Sequence, residues 1–574
     1  MKIFFQKIKA KKWEIATLIV IIAIGIFFRS YEFSDWLHFE IDQVYDIDSI
    51  SNAIQNGPSN LPLLGTNAGG GALRLGPAFY YMEYVSAKIF GNTPPGHAAF
   101  VLIFSILSLP LFYLLCKRYF RTEIALGLLA VFSFSLYLIL YSRFSWSPNI
   151  LPPLILFSFY ALLRSVSEKE KRKDLWFLLA TGAITVCTHI HFNSFIAVPA
   201  AALIFLIIKR PRFSLRTWLG AFFIVFLLYS PVITNEIKTK GENTKMFIRN
   251  ISKDTRAKEN IRVSIAEGIR YDVLESFLII SGNDLINESR QGSASQSVCE
   301  NCPKGTILGI IGFAYFFLGL LGIIYAFFQR PQGDKKDFLI IISSWFLVSL
   351  GVFIYLIKGG FTMQPRFALI SAPLAFIFLG FIFEPILAKK NSLRQGLFVL
   401  VILLLLWSNS LRIRDAFANF RKAGIENFRV EQEDIFPNTN RVTLQQQYAI
   451  VDYIRSNSSQ NDFPVYLKSD RNEYDATFWY HLNNLGIINY GPINTANLCP
   501  EAYYFLIKTN STPRDMATYF DIVEMKSFGT LNVFHLVPKK EKMDCTEQKV
   551  LERHFTDPEI KAAEMLVWNK LFKK

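Results

Sequence analysis

No glycine-rich loop of the nucleotide-binding kind, no serine elbow and no zinc-binding helix occurs in the less apolar part of the chain after Leu411. Their absence sets aside nucleotide-pocket enzymes, serine hydrolases and helix-borne zinc hydrolases. No internal repeat is evident either. Charge is scarce, at 19% of residues against 51% hydrophobic, and basic groups outnumber acidic ones 61 to 46. A net charge of +15 invites a nucleic-acid reading, but that reading needs aromatics interleaved with one basic patch. No such patch exists, so no nucleic-acid partner is expected. Cysteines number six, and Cys299 and Cys302 have no second pair of ligands nearby, which weighs against zinc.

What the chain has is apolar length. With 15% aromatics and a mean hydropathy of +0.27, it reads as a polytopic membrane protein. Stretches long enough for a hydrocarbon core run 13–28, 97–116, 122–141, 148–163, 218–233, 307–328, 338–357, 367–387 and 396–411. Residues 175–208 are too long for one helix and break at His189 to Asn193, which brings the expectation to about eleven spans. The first has basic flanks but no small-residue cleavage site, so it reads as a retained helix.

Lysine and arginine collect before residue 13 and in every second short connection, at 117–121, 169–173, 209–212, 330–336 and 389–394. The positive-inside rule then puts the N-terminus in the cytoplasm and 30–96, 234–304 and the tail after Leu411 outside. Cys299, Cys302, Cys499 and Cys545 fall on the outer side, an even number that allows two disulfides.

The first outer segment, 31–96, carries Glu40, Asp42 and Asp46 directly beyond the first span. Carboxylates at a membrane mouth read as functional, because holding them near the bilayer is costly. The bland alternative is that Asp42 is the N-cap of an interfacial helix, since Val44, Ile47, Ile50 and Ile54 recur at helical spacing and Gly57-Pro58 ends the run. Capping accounts for Asp42 but not for Glu40 beside it. A second interfacial helix opens at Pro77, stops at Gly91 and carries Tyr80 and Tyr81, with Arg74 just before it.

Three polar turns also reach the outer face: 141–149 with Arg143 and Trp146, 188–193 with His189 and His191, and 362–367 with Arg366. One by one, these are interfacial anchors or satisfied loop histidines. Together they outline a cavity with a carboxylate on one wall and cations on the others, suited to a phosphate-bearing lipid. After Leu411, helical stretches near 443–456 and 474–485 alternate with short strands near 465–468, 503–508, 522–525 and 531–537. This reads as a small outer α/β domain, 412–574, with a last helix beginning near Asp557-Pro558.

With these motifs in place, the chain resembles the C-type (GT-C) membrane glycosyltransferases, nearest the protein O-mannosyltransferase and aminoarabinose transferase branch. Asp42, Gln43 and Asp46 resemble the family's Asp-Glu motif in an Asp-Gln form. Leu75 to Tyr81 resembles the family's proline-tyrosine segment, and Tyr141 to Asn149, His191 and Arg366-Phe367 match further positions. The resemblance covers about residues 13 to 411. It implies a GT-C domain over 1–411, mainly α, and a polyprenyl-phosphate sugar donor used on the outer face by inverting single displacement. The acceptor is left open as lipid, protein or glycan. Asp42 is the implied base, with Glu40 beside it able to exchange roles. Asp46, Arg74, Tyr80, Tyr81, Arg143, Trp146, His189, His191 and Arg366 are the implied substrate-binding set, with membrane lipids around them. Neither a cofactor nor an obligatory metal is implied.

Two departures stand out: Gln43 replaces the second acid, and Tyr45 and Leu75 stand where relatives often carry Arg and Lys. Donor phosphate then falls to Arg74, Arg143 and Arg366. A secondary transporter would show repeated halves and ionisable groups at mid-membrane. A non-catalytic receptor would leave the polar turns unexplained.

Overall fold

The computed structural model describes residues 2–67, 73–252, 259–283, 303–388, 391–430, 442–458, 463–469, 472–486, 490–509, 516–545 and 566–572. Its first sixteen helices are α1 (Lys2–Ser30), α2 (Ile41–Asn56), α3 (Ala78–Phe90), α4 (Pro94–Cys116), α5 (Thr122–Phe134), α6 (Leu136–Tyr141), α7 (Leu151–Val166), α8 (Lys173–Ile190), α9 (Phe192–Lys209), α10 (Leu215–Lys238), α11 (Glu242–Ser252), α12 (Ile261–Ser281), α13 (Pro303–Phe328), α14 (Asp334–Lys358), α15 (Ala372–Leu387) and α16 (Ser392–Ala423). Among the described residues, eight helices are long and apolar enough to cross a membrane, and α5 and α15 are shorter apolar ones. With α8, every expected span is helical. The protein is a mainly α, multi-pass membrane protein, and α7 at its centre is buried along nearly its whole length.

Two of the expected boundaries shift. The span 122–141 breaks at Ser135, where the helical ladder is interrupted between α5 and α6. The groups freed there find partners across the bundle: Leu136 N donates to Asn409 Oδ1 at 3.0 Å, and Ser135 Oγ donates to Ile279 O at 2.6 Å. The stretch 234–304, expected as outer loop, folds in part into α12, which is buried against α13, α14, α15 and α16. Its acids Glu267, Asp272 and Glu275 lower its hydropathy, which is why window reading passes over it.

Beyond Leu411 the last bundle helix, α16, continues to Ala423 before the sheet domain begins, so the boundary expected at 412 lies inside a helix. That domain contains β1 (Phe428–Arg429), α17 (Leu444–Ser458), β2 (Val465–Ser469), α18 (Asn472–Asn484), β3 (Tyr490–Pro492), β4 (Tyr503–Thr509), β5 (Phe520–Gly529) and β6 (Leu531–Pro538). The order is β1-β5-β6-β4-β2-β3, antiparallel from β5 through β6 to β4 and parallel elsewhere. Alternation along β4 sends Phe505 and Ile507 toward α17 and α18, and Tyr504 and Leu506 to the opposite face. A disulfide joins Cys499 to Cys545. Cys299, Cys302 and the helix expected near Asp557-Pro558 lie outside the described residues.

The sheet domain rests directly on the segment leading into α2. Leu444 N donates to Leu37 O and Gln445 N to Asp35 O, each at 3.0 Å, and Gln447 Nε2 donates to Phe39 O at 2.6 Å. Phe39 packs against the rings of Tyr480 and His481. Burial holds His481 down at about 3, so its neutral ring keeps the 2.8 Å contact between Nε2 and Gln447 Oε1. At the opposite end of the bundle, ion pairs tie the basic connections, among them Lys209 to Asp337 at 2.7 Å and Arg118 to Asp334 at 3.2 Å.

Candidate functional site

The N-cap of α2 is Glu40, not Asp42. Gln43 turns back so that its Oε1 accepts from Glu40 N at 2.9 Å, the Gln half of a capping box. The Gln43 side chain therefore serves the helix start. Glu40 is buried, with Oε2 3.4 Å from His38 Nε2. One residue into the helix, Asp42 is free of the capping duty and exposed.

Asp42 Oδ2 accepts from the indole Nε1 of Trp146 at 3.0 Å. The same indole ring carries the Arg366 guanidinium 4.8 Å from its centroid, a cation-π contact. Arg366 sits on a short turn held by Tyr137, which donates to Pro365 O at 2.6 Å, and by Tyr271, which donates to Gln364 O at 2.7 Å. His191 follows on the same wall. Burial and then the Arg366 charge hold it at about 3, so the ring is neutral. Its Nδ1 accepts from Asn193 N at 3.2 Å, capping α9, and leaves the hydrogen on Nε2.

A second cluster lies one turn further along α2. Asp46 is buried with Tyr80, and burial, then the carboxylates of Glu83 and Asp42, push its acid well above the usual range against a Tyr80 hydrogen bond and the Arg74 charge. Burial and the Asp46 charge likewise raise the Tyr80 phenol. Glu83, fully buried on α3, accepts from Ser145 Oγ at 2.8 Å, and its Oε1 lies 3.5 Å from His97 Nδ1. Glu83 and His97 were not singled out from sequence. The signal was there: Phe79, Tyr80, Glu83, Ser86 and Ala87 form the buried stripe of α3, and an acid on such a stripe calls for a partner.

Two glycines let the first loop fold tightly over this cluster. A Cβ on Gly65 would overlap the carbonyl of Gly76, and one on Gly76 would overlap the His189 ring. That approach lets Gly65 O accept from Arg74 Nη1 at 3.1 Å. From α11, Asn243 pairs with both main-chain groups of Arg74, each at 2.9 Å. His189 is buried edge-on to Tyr229, and neither ring nitrogen meets a hydrogen-bond partner among the described residues.

Arg143 departs from its expected place at the donor. It is fully buried, and its guanidinium donates to the carbonyls of Phe28 and Arg29 through Nη1 and of Tyr31 and Glu32 through Nη2, at 2.8 to 3.3 Å. It closes the C-terminus of α1, where a cation suits the exposed carbonyls, and has no face left for a lipid phosphate. Tyr81 is also engaged, its hydroxyl donating to Pro62 O at 3.1 Å.

Residues 75–234 match the model of a family described as dolichyl-phosphate-mannose-protein mannosyltransferase. Among solved structures, the oligosaccharyltransferase AglB from Archaeoglobus fulgidus, in complex with an inhibitory peptide and a dolichol-phosphate, is 11% identical, with a TM-score of 0.51 over 87% of this chain and 70% of its own. ArnT from Cupriavidus metallidurans in the apo state is 10% identical, with a TM-score of 0.49 over 94% of this chain and 100% of its own. No curated protein sequence matches the chain. The likeness to AglB is one of fold.

Proposed function

We propose that this protein is an integral-membrane glycosyltransferase that moves a sugar from a polyprenyl-phosphate donor to an acceptor hydroxyl or amide at the face bearing Asp42. The observation that carries the reading is the single wall on which an exposed carboxylate, Asp42, is bonded to Trp146, and Trp146 is covered by the Arg366 cation. The family matched over 75–234 and the dolichol-phosphate in the AglB complex support the lipid-phosphate donor.

In this reading the acceptor atom attacks the anomeric carbon as the bond to the phosphate oxygen breaks, inverting the centre. The acceptor proton passes to Asp42, whose Oδ2 is steadied by the indole. The electron pair leaves with the lipid phosphate, where Arg366 and Arg74 offset the developing charge. His191 Nε2 offers a hydrogen to phosphate or sugar oxygen, and His189 lines the floor under Gly76. Glu40 and Gln43 shape the start of α2, and Asp46 with Tyr80 forms the back of the cavity. No metal is needed for this step.

In this reading the Asp42 face and the sheet domain lie outside the cell membrane, which the alternation of basic connections supports. A reporter fused after Lys574 that works only outside should be active, and activity of a cytoplasm-only reporter at that position defeats this orientation. For the chemistry, purified protein in detergent is given a polyprenyl-phosphate sugar, and release of lipid phosphate with sugar transfer is followed. Comparing envelope glycans and lipids of a deletion strain with its parent by mass spectrometry identifies sugar and acceptor. Unchanged profiles and no turnover of any lipid-phosphate sugar would overturn the reading.

A further inference from the structure

Among the described residues, 566–572 find their main-chain partners in the first loop, not in the sheet that precedes them in sequence. They lie along the first loop, 60–63, beside α3. Leu63 N donates to Leu566 O at 2.9 Å and Trp568 N donates to Leu61 O at 3.3 Å, so Pro62 and Val567 face each other as an antiparallel bridge. Asn569 Nδ2 reaches Asn60 Oδ1 at 3.4 Å. The chain then turns into α19 (Trp568–Phe572), whose first residue donates its indole N–H to the Tyr81 hydroxyl at 2.8 Å. Tyr81 passes the contact on, donating to Pro62 O. The result is a closed circuit of Trp568, Tyr81, Pro62 and Val567.

The placement of this circuit is what gives it consequence. Leu61 and Leu63 are buried, so their main-chain groups need partners, and 566–568 supplies them. Two residues on, Gly65 holds Arg74 through its carbonyl and meets Gly76 over His189. Tyr81 is the immediate neighbour of Tyr80, which faces Asp46. A shift of loop 61–65 or of Tyr81 is therefore a shift of Arg74 and of the phenol beside Asp46.

We propose that Trp568 is a positioning residue for donor binding: through the Tyr81 hydroxyl, and with the bridge at Val567, it fixes loop 61–65 and so the place of Arg74. It touches no substrate and acts through Tyr81. This inference rests on the lipid-phosphate donor read above.

Trp568→Phe keeps an aromatic ring and removes only the N–H. Loss of one neutral hydrogen bond predicts an apparent donor KM raised about two- to tenfold with kcat nearly unchanged. In a Tyr81→Phe background the same change should do nothing more, because the contact it removes is already gone. Additive effects of the two substitutions, or a Trp568→Phe protein with wild-type donor KM, overturn the proposal. A second variant stops the chain after position 565. It should show the same or a larger rise in KM, reversed by adding a peptide of residues 566–572, and wild-type KM in it counts against the proposal. Amide exchange at Leu63 separates the two readings: if wild type transfers nothing, the functional reading fails, while faster Leu63 exchange in the stopped chain still supports the clasp. Equal exchange in the two proteins ends it.

Discussion

Trp146 Nε1 and Asp42 Oδ2 stand 3.0 Å apart although 104 positions separate them in the chain. The bond joins the start of α2 to the turn before α7, and it holds the exposed Asp42 side chain against that turn. An indole N–H can only donate, so the contact fixes Asp42 Oδ2 as the acceptor and orients the carboxylate.

Asp42→Asn should therefore keep fold and donor binding and lose turnover by about a hundred- to ten-thousand-fold, the scale of general-base help. Because the structure gives the N-cap to Glu40, no helix start is disturbed by this change. Wild-type kcat in the purified variant would remove Asp42 from the mechanism.

Trp146→Phe keeps a ring under Arg366 but removes the bond to Asp42. A fall in kcat of about tenfold with donor KM little changed is expected, the size of one charge-assisted hydrogen bond. Arg366→Ala should show the reverse, a raised donor KM. If both variants change KM alone, the indole is only a platform for the cation.

Asp46 offers a pH test. Its folded-state acid is raised well above 3.8, so above that pH the folded protein keeps a proton that the unfolded chain has released. The folded state then binds more protons, and stability falls as pH rises until Asp46 ionises in the fold. Asp46→Asn removes this slope. Thermal unfolding in detergent from about pH 4 to about pH 7 should show the variant gaining on wild type as pH rises. A constant difference across the range contradicts the burial of this acid beside Glu83.

Arg143→Met should lower stability by about 3 kcal/mol, since four main-chain carbonyls at the end of α1 lose a buried charged partner. Protein that still folds should use donor with wild-type KM. A raised KM at unchanged stability would return Arg143 to the phosphate.

Much of the architecture was legible in the chain. Apolar runs report membrane helices because lipid forces the backbone to satisfy itself locally, and the short runs behind β2, β4, β5 and β6 were legible as strands. The stops at Gly57 and Gly91 and the helix starting after Pro77 were equally local. The acid-bearing α12 escaped because its place in the bundle comes from packing against four helices, not from its own hydropathy.

At the site, the sequence by itself determined which chemical groups reach one face: the acids beyond α1, the cations and imidazoles of three polar turns, the aromatics of α3. Only the tertiary structure decided their partners. It spent Arg143 on the end of α1 and Glu40 and Gln43 on the start of α2, it buried Asp46 against Glu83, and it joined Asp42 to Trp146 and Trp146 to Arg366. The reason is physical: span, turn and cap are settled by neighbours within a few residues, whereas a hydrogen bond between positions 42 and 146 exists only after the helices between them have packed.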